Sequence, residues 1–369
     1  MADTRAALSP IKANVPAAPP PVAKGLGTLT LTASDGPHVL ELLATLGEGG
    51  YGTVYCARSS LHGDVAVKCI GHGGDMHDIA DIEHEVAIHK RLCGADDSPF
   101  VRLLHHECES VRSILVLELV CGVELDDVVA RSPSHTLSEE EARPLFAQLA
   151  DALAHCHELG VAHLDVQPRN ALVGADSKLT LIDYGSADFL DEGGRVAERG
   201  ALDNYRAQER QLVEHALSDD ERFLGAPADV FSAGCTLFYM LRGREPYDWD
   251  EAVEAGAINE LLDYMEEERV PFDIDIDCQR RRVGGAAAVP PRALGAGAKE
   301  LIIQMLQWTP EKRPTMHAAR RHAWAGAGAG SEKDDGAAAA AAEDSADEDA
   351  LLEGVARLSV EAAPADDRP

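Results

Sequence analysis

The chain has 369 residues, with 33 Lys and Arg against 64 Asp and Glu, for a formal net charge of −31. So large an excess of acid makes nucleic acid and anionic membrane surfaces poor partners, and no stretch is long and apolar enough to cross a bilayer. The 8 cysteines are scattered without a Cys-x-x-Cys pair, which suits free thiols in a reducing, intracellular compartment, cytoplasmic or nuclear.

Residues 1–36 set Pro16, Pro19, Pro20 and Pro21 among alanines with no sustained apolar period, and read as a disordered segment. They lack the apolar core of a signal peptide, and Asp3 and the prolines argue against a transit peptide. Two β-prone runs, Leu40 to Leu46 and Thr53 to Ala57, flank Leu46-Gly47-Glu48-Gly49-Gly50-Tyr51-Gly52-Thr53-Val54, a complete GxGxxGxV. This suits a strand–turn–strand flap over phosphates, because a dinucleotide site needs a helix after the glycines. An ordinary glycine-rich hairpin is the plain alternative. Alternation in Val65-Ala66-Val67-Lys68 puts Lys68 on the face toward the flap. Glu83 to Leu92 reads as a helix on the apolar positions Val86, Ile88 and Leu92, and Ile114 to Gly122 as a buried strand.

Ser138-Glu139-Glu140-Glu141 is a capping box opening a helix that carries Phe146, Leu149, Leu153 and His157. Pro144 predicts a kink in it or a later start. The stretch His163-Leu164-Asp165-Val166-Gln167-Pro168-Arg169-Asn170, with Leu181-Ile182-Asp183-Tyr184-Gly185, carries the most chemistry. Phosphoryl transfer asks for one carboxylate to orient a hydroxyl and for two oxygen ligands to hold magnesium on nucleotide phosphates. Asp165 fits the first role; Asn170 and Asp183 fit the second. Ala207-Gln208-Glu209, Asp229-Val230-Phe231-Ser232-Ala233-Gly234 and Glu311-Lys312-Arg313-Pro314-Thr315 follow. Residues 325–369 turn to Gly and Ala and then to the acidic run Glu343 to Asp349, a low-complexity tail in which Leu351, Leu352, Val355 and Leu358 have helical spacing. The runs His105-His106-Glu107-Cys108 and His155-Cys156-His157 offer no metal-ligand spacing.

In this order and spacing the motifs resemble the eukaryotic protein kinase family over residues 37–324. The resemblance implies an α+β, bilobal fold: a small antiparallel β lobe with one helix (37–120) and a mainly helical large lobe (121–324). It implies ATP and Mg2+ as cofactors and transfer of the γ-phosphate to a Ser or Thr of a protein substrate. By resemblance, Lys68 holds the nucleotide phosphates and pairs with a helix glutamate. Glu85 fits on the pattern E-V-x-I-x-K-x-L, with Glu83 as the competing candidate. Leu46, Gly47, Gly49, Gly52 and Val54 form the cover and Ala66 lies beneath it. Leu117 is the gatekeeper, the Glu118 and Val120 backbones meet adenine, Glu124 reaches the ribose, and Leu172 is the adenine floor. Glu209 and Arg313 form a buried ion pair.

Three departures bear on mechanism. Leu164 stands where the family has an arginine that receives an activation-segment phosphate, and residues 183–209 hold no Thr and one Ser, Ser186. Fixed charges such as Arg195 or Arg199 with Asp188, Asp191 or Glu192 are therefore expected to order that segment. Gln167 stands for the catalytic-loop lysine and Leu202 for a threonine. Arg169 either supplies the missing positive charge or packs on the lobe surface. Third, Glu209 to Asp229 is longer than usual, so a small insertion is expected there. A nucleotide-binding pseudokinase scaffold is the first alternative, favoured by Gln167 and Leu202 and opposed by Lys68, Asp165, Asn170 and Asp183. A small-molecule phosphotransferase is the second, opposed by the Asp229 and Arg313 motifs.

Overall fold

The computed structural model describes residues 26–33, 36–49, 52–72, 79–93, 98–197, 204–214, 222–272 and 293–326. Leu202, Arg199, most of the Pro/Ala-rich segment, most of the interval after Glu214 and the acidic tail lie outside them.

The amino-terminal lobe is a six-stranded antiparallel sheet of β1 (Gly27–Ala33), β2 (Gly36–Gly49), β3 (Gly52–Ser59), β4 (Gly63–Gly71), β5 (Leu103–Cys108) and β6 (Arg112–Glu118), in the order β1-β2-β3-β4-β6-β5. Helix α1 (Ile79–Leu92) crosses it and begins a turn before the expected Glu83. Period-two alternation separates the faces. Val65 and Val67 join Leu31, Leu40, Leu42, Ala57, Ile114 and Val116 in one apolar cluster. Lys68 sits on the opposite face, where Ile70 and Leu115 pack against Ile82 and Val86 of α1. Strand β1 pairs with β2 along its whole length, ahead of residue 37. Leu29 and Leu31 alternate with threonines, and Leu31, 1 % exposed, closes the far side of the first cluster.

The second lobe contains β7 (Gly122–Glu124), α2 (Leu125–Ala130), α3 (Glu139–Glu158), β8 (Val161–Ala162), β9 (Ala171–Gly174), β10 (Leu179–Leu181), β11 (Asp188–Phe189) and β12 (Arg195–Ala197). It continues with α4 (Gln208–Glu214), β13 (Arg222–Leu224), α5 (Gly225–Arg242), α6 (Trp249–Ala255), α7 (Ile258–Glu266), α8 (Ala296–Met305), α9 (Met316–Arg321) and α10 (Ala323–Gly326). The capping box is present: Ser138 Oγ accepts from Glu141 N while Glu141 accepts from Ser138 N. Helix α3 starts at Glu139 with Pro144 inside it, so the later start does not occur. The carbonyl that Pro144 leaves unbonded belongs to exposed Glu140 and can be met by water. Helix α5 is buried all round from Ala228 to Phe238, the mark of a central core helix. Gly234 lets α5 close on Met305 and Leu306, since a Cβ there would lie 3.0 Å from each.

The Glu209–Arg313 pair ties the end of the activation segment to this core. Arg313, with no side-chain exposure, donates Nη1 to Glu209 Oε1 at 2.7 Å and Nη2 to Oε2 at 2.8 Å. Its remaining donors go to the carbonyls of Gln307 and Pro227, to that of Trp308 and to Gln208 Oε1, and its guanidinium lies 5.0 Å from the Phe231 ring. A pair so fully bonded is costly to break one-sidedly, because the partner is left buried and uncompensated. Arg313→Met should lower stability by about 3–5 kcal/mol, read as a fall in melting temperature by calorimetry; a change within error would show the pair to be dispensable.

Candidate active site

Three residues meet in the cleft below the sheet. Lys68 Nζ lies 2.7 Å from Glu85 Oε1 and 3.2 Å from Asp183 Oδ1. The pairing decides between the two glutamates: Glu85 faces inward, while Glu83 lies outside and approaches His106 at 3.8 Å. Burial alone would push the Lys68 ammonium toward neutrality, but Asp183 and then Glu85 outweigh it and hold its pKa above the ordinary value. Asp183 is likewise opposed by burial, and Lys68 keeps its carboxyl below the usual range. Both groups therefore stay ionised in a closed site.

The catalytic loop is held from within. Asp229, fully buried in α5, accepts Leu164 N on Oδ1 at 2.7 Å, and His163 N at 2.8 Å and His157 Nε2 at 2.9 Å on Oδ2. Burial works against its charge, and the His157 bond brings the carboxyl below its ordinary value. Leu164 has φ of 61°, a left-handed conformation unusual for leucine. The buried Arg210 guanidinium bonds its carbonyl from the other side. Asp165 then projects from a braced turn. Gln167 Nε2 donates to its Oδ1 at 2.7 Å, and Asn170 Nδ2 to its Oδ2 at 2.6 Å. Asp183 has the same left-handed φ, 62°, and accepts Gly185 N at 3.3 Å.

The cover and hinge follow the same sheet. Val54 is directly across from Lys68, and Ala66 from Leu117, so all four share the cleft face. Leu46 is exposed beside Gly47 and Gly49 in β2. Gly52 has φ of 107°, and a Cβ there would collide with the Cys69 carbonyl, so only glycine fits. Glu118 spends its carboxylate on Arg102, at 2.8 Å, and the backbone of Val120 makes no hydrogen bond among the described residues, leaving donors and acceptors at the hinge. Leu172 pairs with Glu124 across β9 and β7, below the hinge. Arg169 stands apart: it is exposed and makes no hydrogen bond or ion pair with a described residue.

Asp191 meets Arg195, one of the expected pairings, though through the Arg195 backbone, and further contacts were not foreseen. Asp191 accepts Arg195 N at 2.8 Å and Gly193 N at 2.9 Å, and pairs at 3.0 Å with Arg222, which the sequence reading did not name. Strands β12 and β13 pair beside it. Asp188 pairs with His84 of α1 at 3.0 Å. The buried His89 ring meets Tyr184 edge-on at 4.6 Å, and Tyr184 meets His163 at 5.5 Å. Apart from the local turn that Asp191 makes with Gly193 and Arg195, these partners lie far apart in sequence, and no local spacing announces them.

With this geometry in place, comparison with known proteins is direct. The sequence pattern of the protein kinase domain matches residues 40–325. The chain belongs to the protein kinase domain family. It is similar to CBL-interacting protein kinase 4 of Oryza sativa subsp. japonica, 32% identical over 77% of this chain and 57% of the relative. It is also similar to the Maternal embryonic leucine zipper kinase of Xenopus laevis, 29% identical over 77% of this chain and 39% of that protein. A third is CBL-interacting serine/threonine-protein kinase 8 of Arabidopsis thaliana, 27% identical over 77% and 57%. The kinase chain thus matches about two fifths to three fifths of the length of these relatives.

Burial, then the Lys68 charge, depresses the His89 pKa to about 3 from the ordinary 6.5. The folded kinase domain keeps this ring neutral, whereas the unfolded chain protonates it below 6.5, so stability is lost as pH falls from there, by about 1.4 kcal/mol per unit. His89→Leu removes that linkage. Its melting temperature should fall less than the parent's between about pH 6.5 and 4.5; parallel curves by calorimetry would contradict the assignment.

Proposed function

We propose that this domain transfers the γ-phosphate of ATP to a serine or threonine hydroxyl of a protein substrate. The observation that carries the reading is the joining of Lys68 to both Glu85 and Asp183 across the cleft, with Asp165 clamped beside it. Lys68 is placed for the nucleotide phosphates, and Asp165 for the acceptor hydroxyl and its proton. The Glu118 and Val120 backbones offer adenine its hydrogen bonds, Leu172 and Ala66 enclose the ring, and Glu124 is available to the ribose.

The residues fit magnesium. Asn170 uses only its amide nitrogen on Asp165, and Asp183 engages Lys68 and Gly185 through one oxygen, so each keeps an uncharged or anionic oxygen unspent. Two hard oxygen donors are what this ion takes from a protein that binds it with nucleotide phosphates. When bound, the ion would neutralise phosphate charge.

The observation favouring a scaffold without turnover is Gln167, which cannot supply the charge of a lysine. Its amide nevertheless holds Asp165 at 2.7 Å, which supports retention of the positioning half of that role. The described cysteines are all free thiols, in keeping with a reducing, intracellular setting.

Incubation with labelled ATP, magnesium and a general protein substrate should place label on serine or threonine. ATP with magnesium should also raise the melting temperature, since it binds the native state alone, and Asp183→Asn should remove the magnesium-dependent part. Thermal stabilisation without any label transfer would replace the enzyme reading with the scaffold. Gln167→Ala should lower kcat by on the order of tenfold to a hundredfold through loss of Asp165 orientation, with the KM for ATP little changed. An unaltered kcat would show that Asn170 alone suffices.

A further inference from the structure

The direction of the Asp165 side chain is set by the peptide that joins it to Leu164. Rotation of that peptide changes ψ of Leu164 and φ of Asp165 together and swings the carboxylate. Leu164 has φ of 61°, where a residue with a Cβ is strained, so the peptides on both sides of it need holding. The one before it is fastened by Leu164 N, which donates to Asp229 Oδ1 at 2.7 Å. The one after it has two bonds. Asp165 N donates to His163 Nδ1 at 3.3 Å, and the Leu164 carbonyl accepts from Arg210 Nη1. The first is long and has a neutral nitrogen as acceptor. The second comes from a charged donor, the stronger kind.

Arg210 is itself anchored. It is 1 % exposed and directly follows Glu209, whose carboxylate is gripped by Arg313. Arg210 N donates to the Ala207 carbonyl at 3.0 Å. The guanidinium lies 5.4 Å from the Phe223 ring of β13, and Phe223 pairs with Val196 of β12. One side chain therefore touches both the catalytic loop and the strand pairing that follows Asp183. The loop has a buried leucine at 164, where the resemblance led one to expect an arginine, and the guanidinium that meets it comes from 46 residues away.

We propose that Arg210 is a positioning residue for phosphoryl transfer: its guanidinium fixes the Leu164–Asp165 peptide and so aims the Asp165 carboxylate at the acceptor hydroxyl. Being buried, it meets neither nucleotide nor acceptor, and its effect falls on turnover. Order in the β12–β13 pairing reaches Asp165 through the same side chain, by way of Phe223. This rests on the kinase reading, which turnover by the parent tests separately.

The full chain is assayed with labelled ATP, magnesium and a general protein substrate, beside Arg210→Met, Arg210→Lys and Phe223→Leu. Arg210→Met keeps the packing of the stem and removes the donors. Its kcat should fall on the order of a hundredfold, as for a misplaced catalytic group. Its KM for ATP, and the rise in melting temperature on adding ATP with magnesium, should stay within about twofold of the parent's. Arg210→Lys keeps a charged donor and should recover about tenfold of the lost kcat. Phe223→Leu should lower kcat several-fold, again with the KM for ATP unchanged. A folded Arg210→Met with parental kcat overturns the proposal. So do equal losses in the Met and Lys variants, which would show packing alone, and a loss expressed in the KM for ATP. Where Arg210→Met does not fold, parental kcat in both Arg210→Lys and Phe223→Leu overturns it. A parent that labels no substrate overturns the kinase reading itself, and this inference with it.

Discussion

The site depends on a carboxylate that never meets solvent or substrate. Asp229 sits wholly buried in the central helix and gathers three hydrogen bonds, two from the backbone of His163 and Leu164 and one from His157. A buried charge is costly unless such donors surround it, so the chain around it is left few arrangements. Satisfying Asp229 forces Leu164 into a left-handed conformation that a leucine does not choose. That turn sets the direction in which Asp165 leaves the core. The placement of Gln167 and Asn170 on its two oxygens follows from there.

A second constraint is electrical and spans the cleft. Lys68 comes from the sheet, Glu85 from α1 and Asp183 from the loop after β10, and the ammonium is near both carboxylates. Removal of any one leaves buried charge uncompensated. Helix α1 is therefore fastened to the floor of the second lobe through a side chain of the first. The contact of His84, the residue next to Glu85, with Asp188 adds a second link between α1 and the segment after Asp183.

Much of this was legible because it is local or periodic. Alternation placed Lys68, the capping box placed the start of α3, and the spacing of Asp165, Asn170 and Asp183 named the groups the cleft brings together. Glu85 could be ranked above Glu83 by pattern, but only the packing of Ile82 and Val86 fixes which glutamate turns inward. Strand β1 was missed although Thr-Leu-Thr-Leu alternates, since the prolines before it coloured the whole segment. Arg210, Arg222 and His157 were out of reach for a different reason. Each acts on a residue tens of positions away, and nothing in the neighbourhood of an arginine or histidine says which distant carbonyl or carboxylate the fold will bring to it. Arg169 shows the converse: its position left two roles open, at the phosphate or on the lobe surface, and its exposure alone does not choose between them.

The stretch after Asp183 carries its own fastenings. Asp191, Arg222 and the short pairing of β12 with β13 are written into the gene, and the sequence offers no threonine there for a second enzyme to modify. Among the described residues the latch is made of a carboxylate, a guanidinium and backbone pairing, none of which waits on a threonine phosphate. Such a fastening forms as the chain folds and is as permanent as the fold itself.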